Sequence, residues 1–227
     1  MDETDHDPRC PGQLMSSPAT VKTDRFTFDP TTHVYQVDGV RVPSVSEILR
    51  SAGLVDYAGI PQDVLEYAAS RGTAVHLATC FYDQGDLDRD SLDEQVAPYV
   101  TAWMKFREEH PFQILETEQM HLGILGGLRF GMTVDRLITL SVPVSNRTIL
   151  DIKCTREIHR HHGVQLAGYE VGIKSNLAPG DRSEWRRAVV QLKPDCTYKF
   201  HEFSDVRDRE VFAAALEICH WKMAARI

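Results

Sequence analysis

No apolar run in the chain approaches the roughly 18 residues that a membrane-spanning helix needs. The polar N-terminus also lacks the apolar stretch of a secretory signal, so the expected setting is the cytoplasm, away from any membrane. Cysteine is sparse: Cys10, Cys80, Cys154, Cys196 and Cys219 are an odd number at scattered spacing, without a Cys-x-x-Cys pair. A disulfide framework is thereby excluded as the basis of the fold, and reduced thiols are expected. Positive charge is in deficit as well. The 25 Lys and Arg residues face 33 Asp and Glu, for a net charge of -8, which counts against an unselective polyanion binder because phosphates are contacted mainly by Lys and Arg. No internal repeat or low-complexity segment is present, so the chain is not an array of small units.

What remains is the composition of a soluble domain. With 227 residues, 42% of them hydrophobic, the chain can bury one good core. Residues 24–227 are expected to form it as a single domain, and residues 1–23, with Asp, Pro, Ser and Gly but little apolar periodicity, read as a disordered tail. Residues 26–28 and 34–37 read as short strands, with Asp38-Gly39 a hairpin turn signal. Ser44 and Glu47 make a capping box for a short helix that Gly53 ends. Helices follow over 62–82, with Gly85 beyond the end, and over 92–109, where Tyr99, Trp103 and Phe106 share a face and read as core rather than as a stacking platform. Strands are then predicted over 113–121, 128–140 and 148–154, a helix over 162–175, strands over 188–192 and 198–203, and a final helix over 206–225. The expected fold class is α+β, a central mixed sheet flanked by helices and preceded by an N-terminal hairpin.

The strands over 128–140 and 148–154 carry the chemistry. In Asp151-Ile152-Lys153 the side chains of Asp151 and Lys153 leave one strand face and Ile152 the other. Antiparallel pairing across the turn at 141–147, counted outward from about Val144, sets Asp135 nearly opposite Asp151. Two carboxylates so placed can hold Mg²⁺, a hard cation that prefers oxygen ligands, and the adjacent ammonium can serve an attacking water or a phosphate. Taken alone, an Asp-x-Lys on a strand is more often a solvated face or a cross-strand ion pair.

Other segments add to the pattern. Arg71-Gly72-Thr73-Ala74-Val75-His76 lies in the helix over 62–82. A glycine inside a helix costs about 1 kcal/mol relative to alanine, which suggests a close approach there by another backbone or by phosphate. His76 is a candidate metal ligand through a neutral imidazole nitrogen. Gln165 and Tyr169 share one helix face and offer donors and acceptors suited to phosphate or base edges. Glu116 and Glu118 share a strand face from which one of them could reach the metal, an exposed strand face being the alternative. Between Asp83 and Glu94 the acidic side chains face a single Arg89, and this charge is expected to lie away from the motifs. By contrast Lys153-Cys154-Thr155-Arg156 and His159-Arg160-His161-His162 make a basic, histidine-rich passage across which a DNA strand could run. A solvated loop or a fortuitous metal site is an equal reading of it.

The order of Arg71-Gly72-Thr73-Ala74-Val75-His76, Thr133-Val134-Asp135, Asp151-Ile152-Lys153 and Gln165-Leu166-Ala167-Gly168-Tyr169, over about a hundred residues, resembles the PD-(D/E)XK nuclease superfamily. Within it the similarity is to the RecB-type and phage exonuclease branch, and Pro43-Ser44-Val45-Ser46-Glu47-Ile48-Leu49 is similar to a segment of the phage-type members. The resemblance implies a restriction-endonuclease-like core and a metal-dependent deoxyribonuclease. An exonuclease of DNA recombination, repair or phage DNA processing, in a bacterial, prophage or phage-infected cell, is the expectation. It implies Mg²⁺ or Mn²⁺ held by Asp135 and Asp151, with His76, the backbone carbonyl of Ile152 and Glu118, the better match of the two glutamates. Lys153 would orient or deprotonate the water or neutralise the phosphate. Gln165 and Tyr169 would position the strand, and Arg71 and Arg156 would contact DNA. Implied partners are linear DNA ends and, by analogy, a single-strand annealing protein or a helicase; ring-shaped relatives exist, but the sequence does not set the oligomeric state.

The chain departs from the pattern twice. Met132 stands where relatives often carry the Gly of Gly-Thr-x-Asp, with Gly131 one position early to supply flexibility. The scattered cysteines do not provide the iron-sulfur cluster that several relatives hold, so none is expected. Three other readings stand beside the exonuclease: a nuclease fold without activity that binds nucleic acid or a partner, a sequence-specific or structure-selective endonuclease of the same superfamily, and an α+β protein of another kind in which the pattern is accidental. Convergence of Asp135, Asp151 and Lys153 discriminates the last.

Overall fold

The computed structural model describes residues 25–140, 147–181 and 183–225. The tail expected at 1–23 and most of the turn after residue 140 lie outside the described residues. A small sheet comes first, with β1 (Phe26–Asp29), β2 (Val34–Val37) and β3 (Val40–Val42) paired antiparallel. Asp38 and Gly39 both have positive φ, 51° and 80°, the geometry that lets a two-residue turn follow the twist of its strands. Helix α1 (Val45–Ser51) starts from the expected capping box: Ser44 Oγ accepts the N–H of Glu47, and the Glu47 carboxylate accepts the N–H of Ser44.

The main sheet holds β4 (Phe112–Leu125), β5 (Leu128–Leu140), β6 (Arg147–Lys153), β7 (Trp185–Leu192) and β8 (Tyr198–Glu202), in that order. Its neighbours are antiparallel except β6 and β7, which are parallel. A parallel pair needs a crossover, and α4 (His161–Ser175) supplies it. The remaining helices are α2 (Gln62–Gln84), α3 (Ala97–Glu109) and α5 (Arg207–Ala225). Helices α1, α4 and α5 cover one face, with Ile48, Leu166 and Phe212 packed around Phe130, Val134 and Ile149. Helices α2 and α3 cover the other, with Val75, Val100 and Trp103 packed around Ile138, Leu150 and Ile152. Covered on both sides, β6 and β7 read as nearly continuous buried runs rather than as alternating strands.

The class is therefore α+β, a mixed sheet flanked by helices behind a small N-terminal sheet, as the sequence predicts. Tyr99, Trp103 and Phe106 are buried in the core. Helix α3 begins later than predicted because the segment around Arg89–Ser91 forms a 3-10 turn that ends at Leu92. Its start carries a proline, tolerated in a first turn where the missing N–H has no helical partner to lose.

Two glycines behave otherwise than predicted. At Gly72 an added Cβ would meet nothing within 4 Å, so no backbone approaches it. Gly131 is required by contact, not by flexibility: a Cβ there would lie 2.2 Å from the Tyr35 ring. Its N–H donates to the Pro43 carbonyl at 2.9 Å, and the small sheet is thereby seated on β5. No helix among the described residues is long and apolar enough to cross a membrane.

Gly131→Ala is expected to lose about 1–3 kcal/mol by displacing the Tyr35 ring. Gly72→Ala, by contrast, should gain about 0.5–1 kcal/mol from the reduced backbone entropy. Urea unfolding of both variants checks the pair, and coincident midpoints would contradict the packing described.

Candidate active site

Four elements meet at one point. His76 comes from α2, Glu118 from β4 and Asp135 from β5, and their ligand atoms all lie within 4.8 Å of one another. The Nδ1 of His76 is 3.2 Å from Glu118 Oε1 and 3.6 Å from Asp135 Oδ1. Its Nε2 donates to the carbonyl of Ile152 on β6 at 3.0 Å. The backbone ladder between β5 and β6 ends at the Arg136–Leu150 pair. Beyond it the N–H of Ile152 donates to Asp135 Oδ2 at 2.7 Å, a side chain standing in for a strand. One further step of the register sets Asp135 against Asp151, as the turn count predicts.

Asp151 and Lys153 share the polar face of β6 while Ile152 enters the core. The Lys153 Nζ lies 2.9 Å from Asp151 Oδ1 and 2.8 Å from Oδ2. Asp151 is thus beside the cluster of His76, Glu118 and Asp135, bound to the lysine rather than to the histidine.

Glu118 has φ 47°, a left-handed backbone that costs a non-glycine residue about 1–2 kcal/mol. A register shift lies just before it, between Ile114 and Glu116, and such bulges re-aim side chains next to functional sites. Of the two glutamates, Glu118 therefore enters the cluster. Glu116 pairs instead with His121 at 2.8 Å.

Beneath the cluster lies a group that the sequence reading missed. Arg136 is completely buried. Its Nε donates to Asp83 at 2.8 Å, Nη1 to Glu118 at 3.1 Å and to the Asp135 carbonyl at 2.7 Å, and Nη2 to Thr79 at 3.2 Å. The guanidinium also lies 5.6 Å from the Trp103 ring centre. Asp83, the first of the acidic run predicted to lie away from the site, is its counter-ion. The signal was an arginine whose strand neighbours two positions either way, Val134 and Ile138, are apolar, a pattern of burial that calls for a buried carboxylate.

The charges tune one another. Burial disfavours the His76 imidazolium, but Asp135 and Glu118 outweigh it and raise the pKa to about 9. Burial raises the Asp151 carboxyl, with Lys153 pulling it down and Asp135 pushing it up. Burial also works against the Lys153 ammonium, yet Asp151 and Asp135 hold its pKa above the ordinary lysine range. Lys153 is accordingly a cation, not a ready base.

On α4, the Gln165 amide donates to the Tyr169 hydroxyl at 2.7 Å. Burial raises the Tyr169 pKa well above its ordinary value, and the nearby Asp151 and Asp135 add to it, so this phenol stays protonated beside the carboxylates. Arg71 donates to the Cys154 carbonyl at 3.2 Å and lies over the rings of Tyr67 and Tyr99. Its Nε is buried and has no hydrogen-bond partner. Arg156 stands apart on an exposed loop whose carbonyl accepts from Gln191. Met132 is explained by packing: it is buried against α4, where a Cβ on Gly172 would fall 2.5 Å from its Cε.

An imidazole nitrogen, carboxylate oxygens and a backbone carbonyl form a donor set suited to a divalent ion. Asp151 Oδ2, out of solvent and paired only with the Lys153 ammonium at 2.8 Å, lies beside that set as a further anionic oxygen. Beyond the site itself the comparisons add little. No family model matches the chain, and no curated protein matches it. Among solved structures the chain is similar to a protein of Eubacterium rectale provisionally named an exonuclease, with a TM-score of 0.48 and 14% identity over 81% of this chain and 79% of that one. It is also similar to the protein SSO0001, with a TM-score of 0.35 and 16% identity over 54% of this chain and 56% of that one. That second match spans only about half of each chain, and neither is near enough to carry a functional argument.

Two outcomes follow from this geometry. Arg136→Leu should cost about 3–5 kcal/mol by removing the buried cation that Asp83 and Glu118 share, which Arg107 and His76 only partly replace, and Asp83→Leu combined with it should cost less than the two changes summed; thermal unfolding of the cycle measures this. His76 holds a proton up to about pH 9 and must lose it to ligate a metal. Divalent-ion affinity should therefore rise as pH goes from 6 to 9, with about one proton released per ion at pH 7, read by calorimetry in buffers of different ionisation enthalpy. In the metal-free protein the sign is opposite. The raised pKa contributes stability that is full below about pH 6.5 and is lost as pH climbs to about 9.

Proposed function

We propose that the chain is a metal-dependent nuclease that hydrolyses the phosphodiester bonds of DNA. The observation that carries this reading is the meeting of His76, Glu118 and Asp135 beside the Asp151–Lys153 pair of the adjoining strand. Asp135 and Asp151, with Glu118, His76 and the Ile152 carbonyl, would hold Mg²⁺ or Mn²⁺, since the donors are mostly hard oxygens. An ion bound there would polarise the phosphoryl oxygens and favour ionisation of a coordinated water.

The chain's own groups divide the remaining work. Lys153, kept charged by its neighbours, neutralises the negative charge that grows on the phosphate and orients the water rather than deprotonating it. Tyr169, kept protonated, donates a hydrogen bond to a phosphate oxygen, with Gln165 fixing the direction of its hydroxyl. The Arg71 guanidinium would meet a second phosphate, and Arg156 would meet the strand farther along the exposed loop. The order of motifs resembling the RecB-type branch of the PD-(D/E)XK superfamily, with its Gln165 to Tyr169 element, favours an exonuclease acting on linear DNA ends in the cytoplasm. A single-strand annealing protein or a helicase is the partner that the resemblance suggests.

The test is to incubate purified protein with end-labelled linear and closed circular DNA, in Mg²⁺, Mn²⁺ or EDTA. Linear DNA should shorten only with metal, and Asp151→Ala and Lys153→Ala should each slow it at least about a hundredfold. Cutting of the circle would make the enzyme an endonuclease. No cleavage of any DNA or RNA would sink the proposal.

A further inference from the structure

A cleft of about 840 Å³ opens between the segment after α1 and the first turns of α4 and α5. Its volume lies within the range of about 300–1,000 Å³ usual for small-ligand sites. Tyr57 and Ile60 line one side, His159, Arg160 and His161 another, and Arg207 and Glu210 a third. We propose that this cleft is a subsite for the bases of a single strand of nucleic acid, adjoining the active site; the inference rests on the nuclease reading above.

Position is the first argument. The wall begins at His159, on the loop that leaves β6 just after Lys153, and continues into α4, whose next turns carry Gln165 and Tyr169. The Lys153 charge is felt at both His161 and His162. A strand whose phosphate is held at Lys153 reaches the cleft along this loop.

The second argument is the chemistry of the walls. The rings of His159 and His161 lie 5.5 Å apart at 27°, and those of His161 and His162 lie 4.3 Å apart at 30°. Burial lowers the pKa of His161, with His159 adding to it, and takes His162 down to about 4. His161 is thus a neutral flat ring on the wall, suited to stacking more than to ion pairing, with His162 packed against it. Tyr57 adds a half-exposed phenol. Aromatic faces of this kind accept any base, because every base has a π-face.

Charge decides which part of the strand enters. Arg160 and Arg207 both reach Asp205, at 3.1 and 3.7 Å, yet remain largely exposed. They can follow a backbone passing the rim. Asp56 and Glu210 on the walls would repel a phosphate but accept a hydrogen bond from an exocyclic amine of a base. Bases therefore go in, and the backbone stays outside.

The test measures binding without hydrolysis. A fluorescein-labelled single-stranded oligonucleotide and a blunt duplex are titrated by anisotropy, with Ca²⁺ in place of Mg²⁺ and again in EDTA. Tyr57→Ala and His161→Ala should each weaken the oligonucleotide about tenfold and the duplex less. Tyr57→Trp should keep the affinity, and its fluorescence should be quenched by the bound strand. Unchanged affinity in both alanine variants, absent quenching, or no binding by the wild type in either condition overturns the subsite. Unchanged affinity would leave a protein partner as the occupant. Loss of the subsite with metal-dependent cleavage intact spares the nuclease reading; Tyr57-dependent binding without cleavage does the reverse.

Discussion

A charge shut away from water has to be neutralised where it lies, and Arg136 imposes that requirement on the whole centre of the molecule. Four hydrogen bonds run from it to Asp83 and Thr79 on α2, Glu118 on β4 and the backbone of β5. Each bond is geometrically fixed by a planar fork. The register of α2 against the sheet is thereby set, and with it the height at which His76 meets Glu118 and Asp135. Trp103 and Arg107 close the arrangement from α3 by contacting Asp83, at 3.2 and 3.3 Å. Carboxylates that would repel one another are bridged by one guanidinium.

This arrangement also changes how the acidic character of the chain is understood. An excess of carboxylates counts against polyanion binding, but several are neutralised internally. Asp83 and Glu118 are paired with Arg136, Asp151 with Lys153, and Glu170 with Arg187, Arg209 and Lys174. The acidic side chains from Asp86 to Glu94 lie beyond the end of α2. A net charge says little about the potential at a cleft; the placement of each ion does.

Much of this fold was legible in the sequence. Period and punctuation placed the Ser44–Glu47 cap, the α3 core face and the hairpin at Asp38-Gly39, because those depend on residues near in sequence. The register of β5 and β6 could be counted because a short turn leaves few alternatives. What could not be read was set at a distance. Nothing local announces that Arg136 will find Asp83, that Gly131 serves Tyr35, or that Glu118 will take a left-handed backbone while Glu116 will not. The helical Gly72 was half misread for the converse reason: of the two neighbours that its local cost suggested, a backbone or a phosphate, packing does not provide the backbone. Arg71, expected at a phosphate, spends one arm on the Cys154 carbonyl and two faces on tyrosine rings.

The bond between Glu118 and His76 closes 42 residues of chain, and that between His76 and Ile152 closes 76. No partial fold short of the paired β4, β5 and β6 strands with α2 docked on them can bring those atoms together. Closing such loops is entropically unfavourable until the packing that follows compensates it. The cluster is accordingly a property of the assembled sheet and helix rather than of any one segment. A chain still emerging from the ribosome, or one unravelled by heat, carries His76, Glu118, Asp135 and Ile152 without the arrangement that brings them together, so the cooperativity of the fold decides when the cluster exists.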